Sequence, residues 1–281
     1  AILLYVTFLE VPFTRFRAAV TDARFAAAAL ALNFLVAPAV AWVLTAAVPL
    51  SPTVRLGALF VLVTPCIDYV ITFTELAGGD AERVTAATPL LMGVQLLTLP
   101  VYLWLFVGAE AARAVEAEPF LTAFLTLIAA PLVLAWLTEL WADRSARGAE
   151  TRQRLGLVPV PAMAATLFAV VGSQLPRVRA SLGEVATVVP VYVAFLVAMP
   201  LIARSVAGAL SMPAGEGRAL VFTSVTRNSL VVLPLALALP AGYDLVPAVV
   251  VTQTLVELAG MVTLTRVVPR YLVPDQRNSA S

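Results

Sequence analysis

Four side chains in this sequence could do chemistry away from water: one thiol, Cys66, and three charged groups within apolar runs, Asp68, Arg227 and Glu257. Cys66 stands in Thr64-Pro65-Cys66-Ile67-Asp68-Tyr69, with the carboxylate of Asp68 two residues on. Arg227 and Asn228 stand in Thr223-Ser224-Val225-Thr226-Arg227-Asn228-Ser229. Glu257 follows Gln253 by one helical turn. A thiolate is a soft ligand and suits thiophilic species. A single thiol gives the weak, reversible grip that a carrier needs. A lone Cys in an apolar helix is ordinarily an inert small hydrophobe, and it is the neighbouring Pro65 and Asp68 that single this one out. Asp68 and Arg227 read as a buried pair, either a functional one or a salt bridge that locks the packing; a bridge that opens during transport satisfies both readings. Glu257 reads as a proton-carrying or substrate-contacting carboxylate, or as a group bonded to a neighbouring helix.

Composition decides the medium. The chain has 281 residues, 61% hydrophobic and 12% charged, against about 25% charged in soluble domains. A soluble fold of this size could not hide that apolar surface, whereas a bilayer removes the need. No histidine is present, which excludes a Ser-His dyad and a His-ligated zinc site. One cysteine cannot make an internal disulfide or a multi-cysteine metal site. A net charge of +1 implies no nucleic-acid surface. An intramembrane aspartyl enzyme needs two embedded Asp residues, and only Asp68 lies inside a span. No cofactor is expected.

The elements that carry these residues are spanning helices, each needing about 20 apolar residues. Nine segments fit: roughly 1–13, 25–49, 56–77, 84–108, 119–141, 155–175, 185–203, 218–240 and 245–267. All 18 basic residues are Arg. Thirteen fall in loops on one side, four (Arg55, Arg113, Arg177, Arg179) on the other, and Arg227 lies within a span. The arginine-rich side is expected to be cytoplasmic, with the C-terminus inside and the protein multi-pass in the cell's inner (plasma) membrane. Residue 1 then lies outside, and a further helix is expected before it. Asn33, Gln95, Thr98 and Gln174 are expected to hydrogen-bond between helices. Glu10, Glu75 and Glu139 are placed near the interface, Trp104 and Trp141 are placed as interfacial anchors, and 143–154 is read as a solvated loop.

The sequence also repeats. Phe34-Leu35-Val36-Ala37 is matched by Phe195-Leu196-Val197-Ala198, Asp68 by Arg227, and Gln95 by Gln253, at offsets of 161, 159 and 158. Five spans separate the copies, an odd number, so they would lie inverted in the membrane, as in many carriers. Pro65 interrupts one span and the hydroxyl-rich run before Asn228, with Pro234 after it, interrupts another. Broken helices at the midplane expose backbone groups, and carriers bind substrate there. Asp68 and Arg227 each cost about 2.5–3.5 kcal/mol at a helix centre on insertion scales, so neither should face lipid.

Pro65-Cys66-Ile67-Asp68-Tyr69-Val70-Ile71-Thr72-Phe73-Thr74-Glu75-Leu76-Ala77-Gly78-Gly79-Asp80 resembles the signature of arsenite/antimonite efflux permeases of the bile acid:sodium symporter superfamily. Cys66 takes the place of the family cysteine in the fourth helix. Asn228 to Pro240 resembles the ninth helix, whose break carries an Asn, and Val256-Glu257 resembles the start of the functional stretch of the tenth. The resemblance covers nearly the whole chain apart from a first helix. It implies ten helices in two inverted five-helix repeats, a panel and a core domain, and crossing fourth and ninth helices. It also implies proton-coupled extrusion of trivalent arsenic or antimony, with Cys66 contacting the metalloid and Glu257 assisting coupling. The sequence departs from that family at Asp68, usually small or apolar, and at Arg227, usually Asn. Arg227 puts a fixed cation where the symporter branch holds sodium.

The expected fold is therefore all-α, a polytopic membrane protein with inverted five-helix repeats and two broken, crossing helices, in one domain over 1–281. Repeat one covers approximately 1–108 and repeat two 119–267. Panel helices are 1–13, 119–141 and 155–175, and core helices lie in 25–108 and 185–267. The expected function is a secondary transporter that extrudes arsenite or antimonite. Substrate would meet Cys66, Asp68, Arg227 and Asn228, and protons would use Glu257 and Asp68. A sodium- or proton-coupled carrier of small organic anions, held by Arg227, is the alternative. The partners are a small inorganic or organic solute, protons or sodium, and the lipid bilayer, with the oligomeric state open.

Overall fold

The computed structural model describes residues 2–9, 23–67, 69–114, 125–155, 182–239 and 241–275, with single positions at 122, 158, 165, 168, 169 and 172. Asp68, Glu10, Gln174, the side chain of Trp104 and nearly all of the 155–175 segment lie outside the described residues. Helix α1 covers Ile2–Phe8, α2 Ala23–Ala47, α3 Pro52–Leu62, α4 Tyr69–Leu76 and α5 Ala81–Ala114. Helix α6 covers Ala130–Arg144, entered through a π-helical turn at Leu125–Ala129, and α7 covers Ala146–Leu155. Helix α8 covers Leu182–Ala209, α9 Ala214–Val225, α10 Ser229–Leu237 and α11 Val246–Leu272. No strand occurs among the described residues, and the chain is an all-α polytopic membrane protein.

Three helices, α2, α8 and α11, are long and apolar enough to cross a bilayer. Each turns large apolar side chains outward: Leu35, Trp42 and Val43 on α2, Val193, Val197 and Leu201 on α8, Leu255 and Val262 on α11. Apolar faces repeated along whole helices are what a lipid-facing perimeter requires. Helices α9 and α10 are the reverse. Every residue of α9 from Glu216 to Val225 is buried, and so are seven of the nine in α10. The interrupted helices thus form the centre and the long ones wrap them.

Close backbone approach fixes that wrapping. At Gly57 on α3 an added Cβ would lie 2.9 Å from Cγ1 of Val249 on α11, so only glycine lets these helices meet. In α2 a π-helical turn covers Leu32–Val36, just before Pro38. Pro38 has no N–H to give the carbonyl of Phe34, and the hydroxyl of Tyr102 on α5 donates to that carbonyl instead at 2.6 Å. The same turn carries Asn33 inward, fully buried.

Three expectations are corrected. Residues 146–155 form a short helix, α7, whose Gly148 sits against the backbone of Trp141 and Ala142; a glycine at the contact lets the chain fold back on α6. Glu139 is buried, with Arg152 of α7 at 4.0 Å, because α7 covers it. Thr98 bonds back to the carbonyl of Val94 in its own helix at 2.9 Å rather than across helices, as hydroxyls in apolar helices commonly do.

Candidate functional site

The two interruptions are built alike. Helix α3 ends at Leu62 and the chain runs irregularly to Tyr69; α9 ends at Val225 and restarts at Ser229. Before each gap a threonine hydroxyl bonds back four residues, Thr64 to the carbonyl of Phe60 at 2.9 Å and Thr226 to that of Phe222 at 2.8 Å. The first gives the Phe60 carbonyl a hydroxyl donor at the helix end, and the second adds to the Thr226 N–H already on the Phe222 carbonyl at 3.2 Å. The gaps then pair with each other. Pro65 and Arg227 form an antiparallel bridge, with the Cys66 N–H donating to the carbonyl of Thr226 (3.1 Å) and the Asn228 N–H to that of Thr64 (2.8 Å). In a bilayer such bonds are what allow a backbone to leave the helix at all. The two stretches match residue for residue, Phe60 with Phe222, Thr64 with Thr226, Pro65 with Arg227.

Arg227 is fully buried at this crossing. Its Nη1 donates to the carbonyl of Leu62 at 3.2 Å, and its Nη2 donates to Asn33 Oδ1 at 2.9 Å and to the carbonyl of Ser224. Its guanidinium carbon lies 5.3 Å from the ring centroid of Phe195 on α8. Leu62 and Ser224 close the last turns of α3 and α9, where aligned peptide dipoles concentrate negative charge. One cation therefore neutralises both half-helix ends, while Asn33 and the aromatic face complete its shell. Among the described residues no carboxylate pairs with the guanidinium.

Glu257, also buried, faces the backbone of Arg227 rather than its side chain. The Arg227 N–H lies 3.0 Å from Oε2 and 3.2 Å from Oε1. Gln253 Nε2 donates to Oε2, and the hydroxyl of Tyr69 lies 2.6 Å from Oε1. The same hydroxyl lies 2.7 Å from the carbonyl oxygen of Arg227. The buried thiol of Cys66 lies within electrostatic reach of Arg227.

Of the residues singled out in the sequence, Cys66, Arg227, Asn228 and Glu257 come together here. Asp68 lies outside the described residues, and the backbone partner of Arg227 is Pro65. Asn228 caps α10, its Oδ1 accepting from the Val231 N–H at 3.1 Å. Tyr69 and the role of Asn33 were missed; a Tyr directly after Asp68 in an interrupted helix was the available signal for the first. Three buried oxygens, Gln95 Oε1, Thr223 Oγ1 and Gln253 Oε1, meet no donor. At 1.5 Å per residue Gln95 lies about 21 Å into α5, near the depth of the crossing.

Residues 1–181 match the Sodium Bile acid symporter family. The chain belongs to that family. The matched stretch holds Cys66, Tyr69 and the first broken helix of this symporter-family protein; Arg227 and Glu257 lie beyond it. No curated protein matches the chain. The family is one of transporters.

Proposed function

We propose that this protein extrudes arsenite or antimonite by proton-coupled alternating access, with Cys66 as the metalloid contact and Glu257 as the proton carrier. The observation that carries this reading is the commitment of Arg227. Both of its Nη atoms are held by helix-end carbonyls and Asn33, and among the described residues only its buried Nε lacks a partner, so little of this cation is open to an organic carboxylate. What it does offer is one thiol, a carboxyl group and acceptor oxygens that lack donors. That set suits a small, uncharged, hydroxylated and thiophilic solute, and arsenous acid is one.

The same commitment favours protons over sodium. The oxygens that could hold a monovalent cation between the half-helices already hold a guanidinium. Among the described residues, the site's remaining exchangeable charge is that of Glu257. The matching of the two breaks supports two inverted repeats about the crossing. The packing of α1, α6 and α7 on one another supports a panel against which the other helices move, and the Tyr5 hydroxyl meets that of Thr138 at 3.0 Å within it. The orientation we propose puts the arginine-rich end and the C-terminus in the cytoplasm of a cell bounded by this membrane.

Uptake into everted vesicles tests the reading. Arsenite accumulates when the vesicle interior is acid, and Cys66→Ser abolishes accumulation while leaving the amount of inserted protein unchanged. Undiminished arsenite uptake by Cys66→Ser removes the metalloid reading. Uptake of organic acids lost in Arg227→Gln but kept in Cys66→Ser establishes the organic-anion carrier instead.

A further inference from the structure

The hydroxyl of Tyr69 is a donor with one proton and two short neighbours. The carbonyl of Arg227, 2.7 Å away, can only accept. Glu257 Oε1, 2.6 Å away, can only accept if the carboxyl group is ionised. One phenolic proton cannot serve two acceptors at these distances, so one contact would be oxygen against oxygen with nothing between. The other carboxyl oxygen is not in conflict. Oε2 takes the Gln253 amide and the Arg227 N–H at 3.0 Å, the same N–H lying 3.2 Å from Oε1, so both neighbours of Oε2 are donors, as a neutral acid's carbonyl oxygen requires.

We propose that in this conformation Glu257 is protonated on Oε1 and that Tyr69 is the positioning residue that reports this proton to the helix break. The chain of donors then closes: Glu257 Oε1–H donates to Tyr69 Oη, and Tyr69 Oη–H donates to the carbonyl of Arg227. This rests on the proton role of Glu257 stated above, and it adds the residue through which that proton acts on structure. When the proton leaves for a water molecule, giving hydronium and a carboxylate, Tyr69 turns its O–H to the carboxylate. The carbonyl of Arg227, in the bridge that joins the two broken helices, then loses its donor. A buried carbonyl without a donor is costly, so deprotonation loosens the crossing itself.

The groups around Glu257 are consistent with this. Tyr69 faces it from α4 and the Arg227 backbone from the gap after α9; the Arg227 guanidinium is turned to the helix ends, and the Cys66 thiol lies beyond it. From α8 the Tyr192 hydroxyl donates to the carbonyl of Val249. The only titratable side chain of α3 is Arg55, near its start, and the others of α11 are Arg266, Arg270 and Tyr271, toward its far end.

Infrared spectroscopy of the purified protein in lipid tests the proposal without substrate, so its outcome is separate from that of the transport assay. The wild type at neutral pH shows a protonated-carboxyl C=O band that disappears in Glu257→Gln. In Tyr69→Phe the band persists and moves to higher frequency, because its proton has lost its acceptor. Absence in the wild type of any such band assignable to Glu257 overturns the proposal, as does an unshifted band in Tyr69→Phe. If Tyr69→Phe is poorly folded, isotope-labelled tyrosine in the wild type gives the second reading: a phenol C–O band that shifts on Glu257→Gln supports the contact, and the absence of any shifted tyrosine band overturns it.

Discussion

At the scale of single residues, this site shows how neutral groups can cage a buried cation. Desolvating a guanidinium costs several kcal/mol, and three oxygens together with one aromatic face offset it here. Removing that group leaves two helix-end carbonyls and Asn33 without a donor. We expect Arg227→Ala to be destabilised by about 3–5 kcal/mol, as for other broken buried charge networks, read as a lowered melting temperature in detergent. Free guanidinium ion should recover part of the loss, whereas a melting temperature equal to that of the wild type would mean the cage is not under load. The chemistry-bearing residues were legible because charge inside an apolar run is rare and a lone thiol beside a proline is conspicuous. Asn33 and Tyr69 were not, because amides and phenols occur in many spans and only the fold shows which of them meets Arg227 or Glu257. Asn228 was legible as a site residue but takes the role of a helix cap, a local use that Asn favours at any helix start.

At the scale of elements, the breaks could be read from Pro65 and from the hydroxyl run before Arg227, but their register could not. The charges Asp68 and Arg227 suggested one alignment of the halves, whereas the bonded backbone pairs Pro65 with Arg227. The better match, Phe60 to Thr64 against Phe222 to Thr226, was masked because the residues between differ, Val61 and Leu62 in one stretch and Thr223 and Ser224 in the other. Two glycines carry predictions at this scale. Gly57→Leu should separate α3 from α11, since even a Cβ would press on Val249 at 2.9 Å. The expected result is loss of folded protein on size-exclusion chromatography, while Gly57→Ala keeps some. Gly78, with φ of 64°, ends the turn after α4, and its carbonyl accepts from Arg218 Nη1 at 3.1 Å. Gly78→Ala should cost about 1–2 kcal/mol for the left-handed backbone alone, measurable as a shifted thermal midpoint with transport retained.

At the scale of the molecule, charge is sorted to two ends, and the sorting can be tested. One end gathers Arg24 on Glu216 (3.1 Å), Arg83 on Glu216 and Asp80 (3.0 and 2.8 Å), and Arg218 on Asp275 (2.9 Å). These pairs tie α2, α5, α9 and the segment after α11 into one block, and all their arginines belong to the side counted as rich from sequence. The opposite end is joined by Ser51 with Glu184 and by Thr53 with the carbonyl of Gly242. An arginine excess of this kind orients membrane proteins with the rich side inward. Because Cys66 is the only thiol, a Cys66→Ser background lets a single new cysteine report its side. Asp244→Cys, exposed at the poor end, should react with a membrane-impermeant maleimide in intact cells. Glu82→Cys, exposed at the rich end, should react only after the membrane is opened. The reverse pattern would overturn the proposed placement of the C-terminus. It would leave the direction of transport unchanged, because in a proton exchanger inward protons drive solute outward whichever end of the protein faces the cytoplasm.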